Sequence, residues 1–293
     1  MRDDCAADGT SLPALAHPSF AGVRRSLRAA GGDLDRLTLA ALDTAARTAS
    51  PPIVSGAGAP IRFVVADGRQ SALDYETRIH DYGEVATRIG ERHDLLNALC
   101  WLSFPHVKRR CNALHVAHAR TGSAGRGAIR DATTLFDESG VIALCRDPSL
   151  GRLLAGRRWK TLFVERRNDA RSALRFFVCG HAVLEKLLAP YAGITARVLV
   201  VPWDGTFERS DEDLRAEADR RAAAALDAIA GPADLPPLPL AGIPGWDPRS
   251  VDPAFYDDVR VFRPAHASIA AGSASTVAQS AAAPAPSSSS REP

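Results

Sequence analysis

The sequence predicts an α+β protein, or an α/β protein with an antiparallel insert: a mixed β-sheet packed by helices, with a wrapping C-terminal arm. Three observations lead there. In the second half of the chain, strand-like apolar runs alternate with helical patterns. In the middle, "ATTLFDESGVIALC" (132–145) reads as an alternating strand, a turn closed by Gly140 and an apolar strand, which together make a hairpin. Near the end, "LPPLPLAGIPGWDPRSVDPAFYDDVRVFRP" (235–264) mixes proline with Leu238, Trp246, Phe255, Tyr256 and Phe262. Large aromatics at that spacing point to an ordered arm rather than a linker.

In chain order, residues 1–16 read as disordered and "DLDRLTLAALDTAAR" (33–47) as a helix opened by a capping aspartate. "SPPIVSGAGAP" is a linker by its Pro, Gly and Ser content, and "IRFVVAD" is a strand ended by the Asp67-Gly68 turn. Asp94–Phe104 is a helix apolar nearly all round and therefore central to the core. It ends at Phe104 because the residue before a proline avoids the helical region, and Pro105 suits the first turn of the next helix. "TGSAGRGAIRD" is a loop leading into the hairpin. After a short helix near "PSLGRLLAG", "KTLFVE" and "RFFVCG" read as strands. "HAVLEKLLAPYA" is then a helix launched by Gly180 and stopped by Gly193, and "ITARVLVVP" is a further strand. Ser210 caps a long helix with acids in its first turn, and Gly231 stops it. The expected organisation is one globular domain over 17–264, followed by a disordered Ala/Ser/Pro tail over 265–293.

Composition bounds the function classes. In 293 residues, 46% apolar and 24% charged side chains can bury a real core, and a net charge of +2 argues neither for nor against nucleic acid. No apolar run reaches the ~18 residues a membrane helix needs, and the acidic N-terminus lacks signal-peptide character. The expectation is a cytoplasmic protein with no membrane partner. The five cysteines share no CxxC spacing and support no zinc site, and Cys100, Cys145 and Cys179 lie in apolar runs where a free thiol behaves as a small hydrophobe.

Several phrases together resemble one known family. "DYETRI", "GEVATR", "HDLLNALCWLSFP", "RDATTLFDESG", "FFVCGHAVLEKLLAPY" and "LAGIPGWDP" followed by "DPAFYDDVRVFRP" are similar to the proteobacterial family called domain of unknown function 3025, from about Arg62 to Pro264. The resemblance implies a cytosolic bacterial protein and carries no activity, so the chemistry has to come from the residues.

Histidines and carboxylates gather in a polar set suited to a divalent metal, imidazole for softer ions and carboxylate oxygen for harder ones. His181 follows Gly180 at a strand-to-helix junction, where the helix dipole favours a neutral imidazole able to act as base or ligand. It is the first candidate, with Asp137 and Glu138 as catalytic carboxylates. His93, Asp94, His115 and Glu185 are the candidate ligands, Glu185 sharing a helix face with His181. Each has a structural alternative. Asp94 caps its helix, Asn97 bonds a neighbouring backbone group, and Asp137-Glu138-Ser139-Gly140 is turn chemistry. Glu185 pairs on the surface, and His118 is a core histidine on the stripe of Val107, Cys111 and Leu114.

The other candidate feature is basic. Lys108, Arg109, Arg110, Arg120, Arg126 and Arg130 follow one another with no acid between them, and a second group runs from Arg157 to Arg175. Arg109, Arg126 and Arg130 are the candidate anion-binding residues. The sequence holds no GxSxG elbow, phosphate-binding glycine loop or HExxH motif. The resulting expectation is a hydrolase, metal-assisted or working by His/carboxylate acid–base catalysis, on a phosphate-bearing or otherwise anionic substrate. The alternative is a non-catalytic protein whose basic middle binds nucleic acid or an acidic partner. A divalent metal is the only cofactor the residues suggest.

Overall fold

The computed structural model describes residues 15–68, 70–121 and 127–265. Expectations for the two termini, for Cys5 and for Arg126 fall mostly or wholly outside them. The fold is α+β: mixed sheets packed by helices, with a proline-rich C-terminal segment laid over the body.

Helix α1 (Arg24–Ala29) and helix α2 (Leu39–Thr48) precede a parallel ribbon made of β1 (Arg62–Val65) and β2 (Glu84–Thr87). The single helix expected over 33–47 is divided. Asp33 caps a short 3-10 turn, Leu34–Arg36, and Thr38 then caps α2 by accepting from Ala41 N–H. Between the ribbon strands runs α3 (Ala72–Tyr82), which the sequence reading did not assign. Its start is written in Ser71, whose side chain accepts from Asp74 N–H.

Helix α4 (Arg92–Ser103) buries eight of its residues, among them Leu95, Leu96, Leu99 and Trp101, and forms the expected central pair with α5 (Pro105–Thr121). The α5 N-terminus is buried, so its free amides need a partner. Asp219 supplies it from a later helix, accepting from His106 N–H at 3.1 Å and Val107 N–H at 2.8 Å.

Helix α6 (Gly127–Ser139) replaces the first strand of the expected hairpin. The Thr-Thr-Leu-Phe alternation suggested a strand, but Ala132, Thr133 and Phe136 also share one helical face, and that is the face buried here. The Thr133 hydroxyl donates to the Ile129 carbonyl one turn back, so even the β-branched residue is accommodated. Only the second arm, β3 (Gly140–Cys145), is a strand, and all six of its residues are buried, as its apolar composition requires.

Beyond β3 come α7 (Pro148–Ala155) and α8 (Arg167–Ala173), and the "TLFVE" run between them forms one π-helical turn rather than a strand. Strand β4 (Leu174–Val178), helix α9 (His181–Lys186), strand β5 (Thr195–Pro202), helix α10 (Asp211–Ala225) and strand β6 (Pro237–Pro239) complete the order. Ser210 caps α10 as expected, but the helix tightens to a 3-10 turn over Leu226–Ala228 before Gly231 is reached. The four-stranded sheet runs β4-β3-β5-β6, with β3 antiparallel to β4 and parallel to β5. The prolines of β6 sit at its edge, where no donor is missed.

The C-terminal arm is ordered to residue 265. The Tyr256 hydroxyl donates to the Gly242 carbonyl, Phe262 packs on Phe255 and Tyr256, and Trp159 Nε1–H donates to the Arg263 carbonyl. These contacts lie on the β4 and α8 side of the molecule. None of the arm lines the cleft that the first half of the chain forms.

Candidate functional site

One strand-to-helix junction organises the polar set. Gly140 opens β3 and Gly180 precedes α9, and the two backbones touch: Cys179 N–H and Gly180 N–H both donate to the Gly140 carbonyl at 3.0 Å. A Cβ on Gly180 would stand 2.3 Å from Gly140 N and 2.6 Å from Ser139, so only glycine allows this approach. The contact drives His181 against the last turn of α6, where Asp137 and Glu138 lie.

His181 is buried, and its Nδ1 lies 2.9 Å from the Asp137 carbonyl oxygen. A carbonyl only accepts, so Nδ1 carries the proton and Nε2 presents a lone pair. Burial, reinforced by the nearby Lys108 cation, pushes the imidazole down to about 4, which keeps it neutral. Its Nε2 faces a Glu138 oxygen at 3.7 Å. From α4, the His93 ring meets His181 edge to face with centroids 4.6 Å apart. His93 Nδ1 is 3.1 Å from a Glu185 oxygen. A carboxylate accepting that proton leaves Nε2 as the free nitrogen. One donor atom each from His93, Glu138 and His181 lie within 4.8 Å of one another, the one such group among the described residues. Burial and the Asp137 charge raise the Glu138 carboxyl above the usual range, the response of an acid lacking a full counter-charge.

These three residues stand at one end of a cleft of about 640 Å³. Asp94, His115, Arg130 and Asp137 line the same cleft, so seven of the ten candidates converge. Their roles differ. Asp94 is not the helix cap, a position Glu91 holds. It accepts from Arg88 N–H at 2.9 Å and from the Arg88 guanidinium at 2.8 and 2.9 Å. Burial opposes its charge, but those bonds win and hold the carboxyl below its usual range. Asp137 accepts from Lys108 Nζ at 2.6 Å. Despite burial, the Lys108 ammonium, by its charge and its hydrogen bond, keeps that carboxyl low as well. Both carboxylates are therefore already satisfied by cations. His115 makes no hydrogen bond among the described residues and opens into the cleft. Glu185 lies behind His93 rather than in the cleft, in the place of a carboxylate that orients a ligand.

Of the basic candidates, Arg130 lines the cleft, Arg109 is exposed and does not, and Arg126 lies outside the described residues. Lys108 is no surface cation. It is buried, and its ammonium also donates to Asn97 Oδ1 at 2.8 Å and sits 5.6 Å from the Trp101 ring centre. The rest of the basic run is largely engaged within the protein: Arg110 with Asp227, Lys160 with Asp257, Arg166 with Asp147 and Asp169, and Arg167 with the Ser250 carbonyl. His118 is half-buried and bonds the Leu114 carbonyl. Cys100, Cys111, Cys145 and Cys179 are buried free thiols.

Among the cleft residues that the sequence does not point to are Arg88, the partner of Asp94, and Tyr75 and Glu76 of α3. Asn97 Nδ2 donates to the Tyr75 hydroxyl at 2.9 Å, and Asn112 Nδ2 donates to a Glu76 carboxylate oxygen at 2.8 Å. Burial pushes both acids above their usual ranges. The signals were the Ser71 cap and the four-residue step from Tyr75 to Ile79, which predict a helix with those residues turned inward.

No helix among the described residues is long and apolar enough to cross a membrane. No curated protein and no solved structure matches the chain. Residues 61–266, more than half of the sequence, match the model of the family described as Protein of unknown function (DUF3025), and the chain belongs to that family.

Proposed function

We propose that the protein binds a divalent transition-metal ion through His93, Glu138 and His181 and acts as a hydrolase on an anionic, for instance phosphate-bearing, substrate. The observation that carries this reading is the convergence of two imidazoles, each with Nδ1 engaged and Nε2 free, on one carboxylate in an open cleft. Two nitrogens and one oxygen suit zinc, iron or manganese, and three protein ligands leave coordination positions for water and substrate, the mark of catalytic rather than structural sites. A cation held there by His93, Glu138 and His181 would supply Lewis-acid activation of water. Hydrolysis would bond a water oxygen to the acyl carbon or phosphorus, break the bond to the leaving oxygen, and move one proton in net from that water to the leaving oxygen. The leaving oxygen needs a proton, and His115, which lines the cleft with no side-chain hydrogen bond among the described residues, is the group placed to deliver one. Glu185 holds His93 in the ligating tautomer, and the Asp137 carbonyl does the same for His181.

The test is elemental mass spectrometry of the purified protein beside His181→Ala and Glu138→Ala, with circular dichroism to show that each variant folds. Near-stoichiometric zinc, manganese or iron in the parent, lost in both folded variants, supports the reading and justifies a phosphatase and esterase screen. No bound ion after stripping and reloading with each metal overturns it.

A further inference from the structure

We infer that the substrate is an elongated amphiphilic anion, its charged group held by Arg130 and its apolar body laid along the opposite wall of the cleft; the identity of the reacting end rests on the hydrolase reading above. One wall is a stripe of α6. Arg130, Thr134 and Glu138 follow at four-residue steps and all line the cleft. At 1.5 Å per residue, the Arg130 and Glu138 backbones stand about 12 Å apart, two helical turns. Arg88 is the other arginine in the cleft, and Asp94 holds it bidentately. Among the described residues no acid pairs with the Arg130 guanidinium and no hydrogen bond engages it, although the Arg130 carbonyl accepts from the Thr134 hydroxyl, and the side chain is exposed. An anionic group therefore has one available arginine, and that arginine is remote from the metal-binding residues.

The facing wall is apolar and small. Val64 and Ala86 are register partners in the parallel ribbon and face the same side, and Ala66 continues that side two residues on. Ala66, Ala72, Ala86 and Ala119 all line the cleft. Leu73, in the first turn of α3, completes the wall and is 49% exposed. An exposed large apolar side chain in a cleft that four alanines also line is a surface for a ligand's hydrocarbon. A bare phosphate or a short carboxylate would leave most of a 640 Å³ cleft unfilled.

Isothermal titration with n-alkyl carboxylates from butanoate to octanoate tests this, using the protein both as purified and after chelation. In the chelated form the metal-binding residues offer no cation to the carboxylate, so binding reports on Arg130. Affinity is expected to rise by up to about fourfold per methylene. Arg130→Gln should weaken every member several-fold, and Leu73→Ser should flatten the gain per methylene while leaving butanoate nearly unchanged. Affinity independent of chain length, or a series unaffected by Arg130→Gln, overturns the inference. The two readings fail separately. A bound ion without chain-length dependence removes this one alone, and chain-length dependence without any bound ion removes the metal alone.

Discussion

Lys108→Met tests the network beneath the cleft. Lys108 and Asp137 have side chains only 5% and 14% exposed, with Nζ and Oδ1 2.6 Å apart. Asn97 Oδ1 lies 2.8 Å from the same ammonium. Methionine keeps the length and volume of the lysine stem, so the cavity contribution is small. The ammonium is lost, which leaves a buried carboxylate without its cation and the Asn97 acceptor without its donor. Breaking a buried pair from one side typically costs ~3–5 kcal/mol, a large fraction of the ~5–15 kcal/mol that holds an ordinary domain folded. Equilibrium urea denaturation measures it. The partner experiment is Lys108→Met with Asp137→Leu: removing both charges with volume retained should recover most of the loss, because a buried pair contributes little net stability over apolar packing. A single variant that loses less than about 1 kcal/mol, or a double variant no more stable than the single, would refute the reasoning.

Three further outcomes follow from the same geometry. Burial raises Asp219 to about 7 in the folded protein, against about 4 when unfolded, so the native state retains a proton that the unfolded chain releases. Stability should fall as pH rises from about 4 to about 7, by roughly 1.4 kcal/mol for each pH unit, and level off above. Asp219→Asn should flatten that slope in urea midpoints taken at pH 5 and pH 8, and equal slopes in both proteins would remove the assignment. Gly180→Ala must push the Ser139-Gly140 backbone away from the start of α9, so it should destabilise by about 1–3 kcal/mol and lower metal occupancy although it changes no ligand. Glu185→Gln should leave thermal stability nearly unchanged and weaken metal affinity by about 10–100-fold in competition with a chromophoric chelator. An unchanged affinity would make Glu185 a surface partner only.

Much of this site was legible because its residues carry local signals. Gly180 before His181 marks a junction where only a bare backbone fits, and the Phe104-Pro105 break places α4 and α5 as neighbours. Asp137 and Glu138 stand out as candidate carboxylates whose spacing before Gly140 also suits a hairpin turn, and they sit instead at the end of a helix. The residue types were informative even though the period was misjudged, because a Thr-Thr-Leu-Phe run satisfies both the strand pattern and a helical face. What remained hidden is partnership across elements. Lys108 counted as one more surface cation, yet it lies on the α5 face of Phe104, Val107 and Cys111, which is the core face. Nothing local says that Asp137 waits opposite it. Glu185 was legible as a helix neighbour of His181, but its partner is His93, 92 residues away. Asp94 offered the same ambiguity, and the tertiary partner Arg88 decides it.

The most direct test of the central claim is X-ray absorption spectroscopy at the metal edge of the reloaded protein, with crystallographic anomalous scattering to locate the ion. The account predicts an ion bound by two imidazole nitrogens and one carboxylate oxygen from His93, His181 and Glu138, at about 2.0–2.2 Å for zinc, with solvent completing the shell. An ion placed elsewhere, a shell lacking both histidines, or no ion in any metal-loaded sample would contradict it.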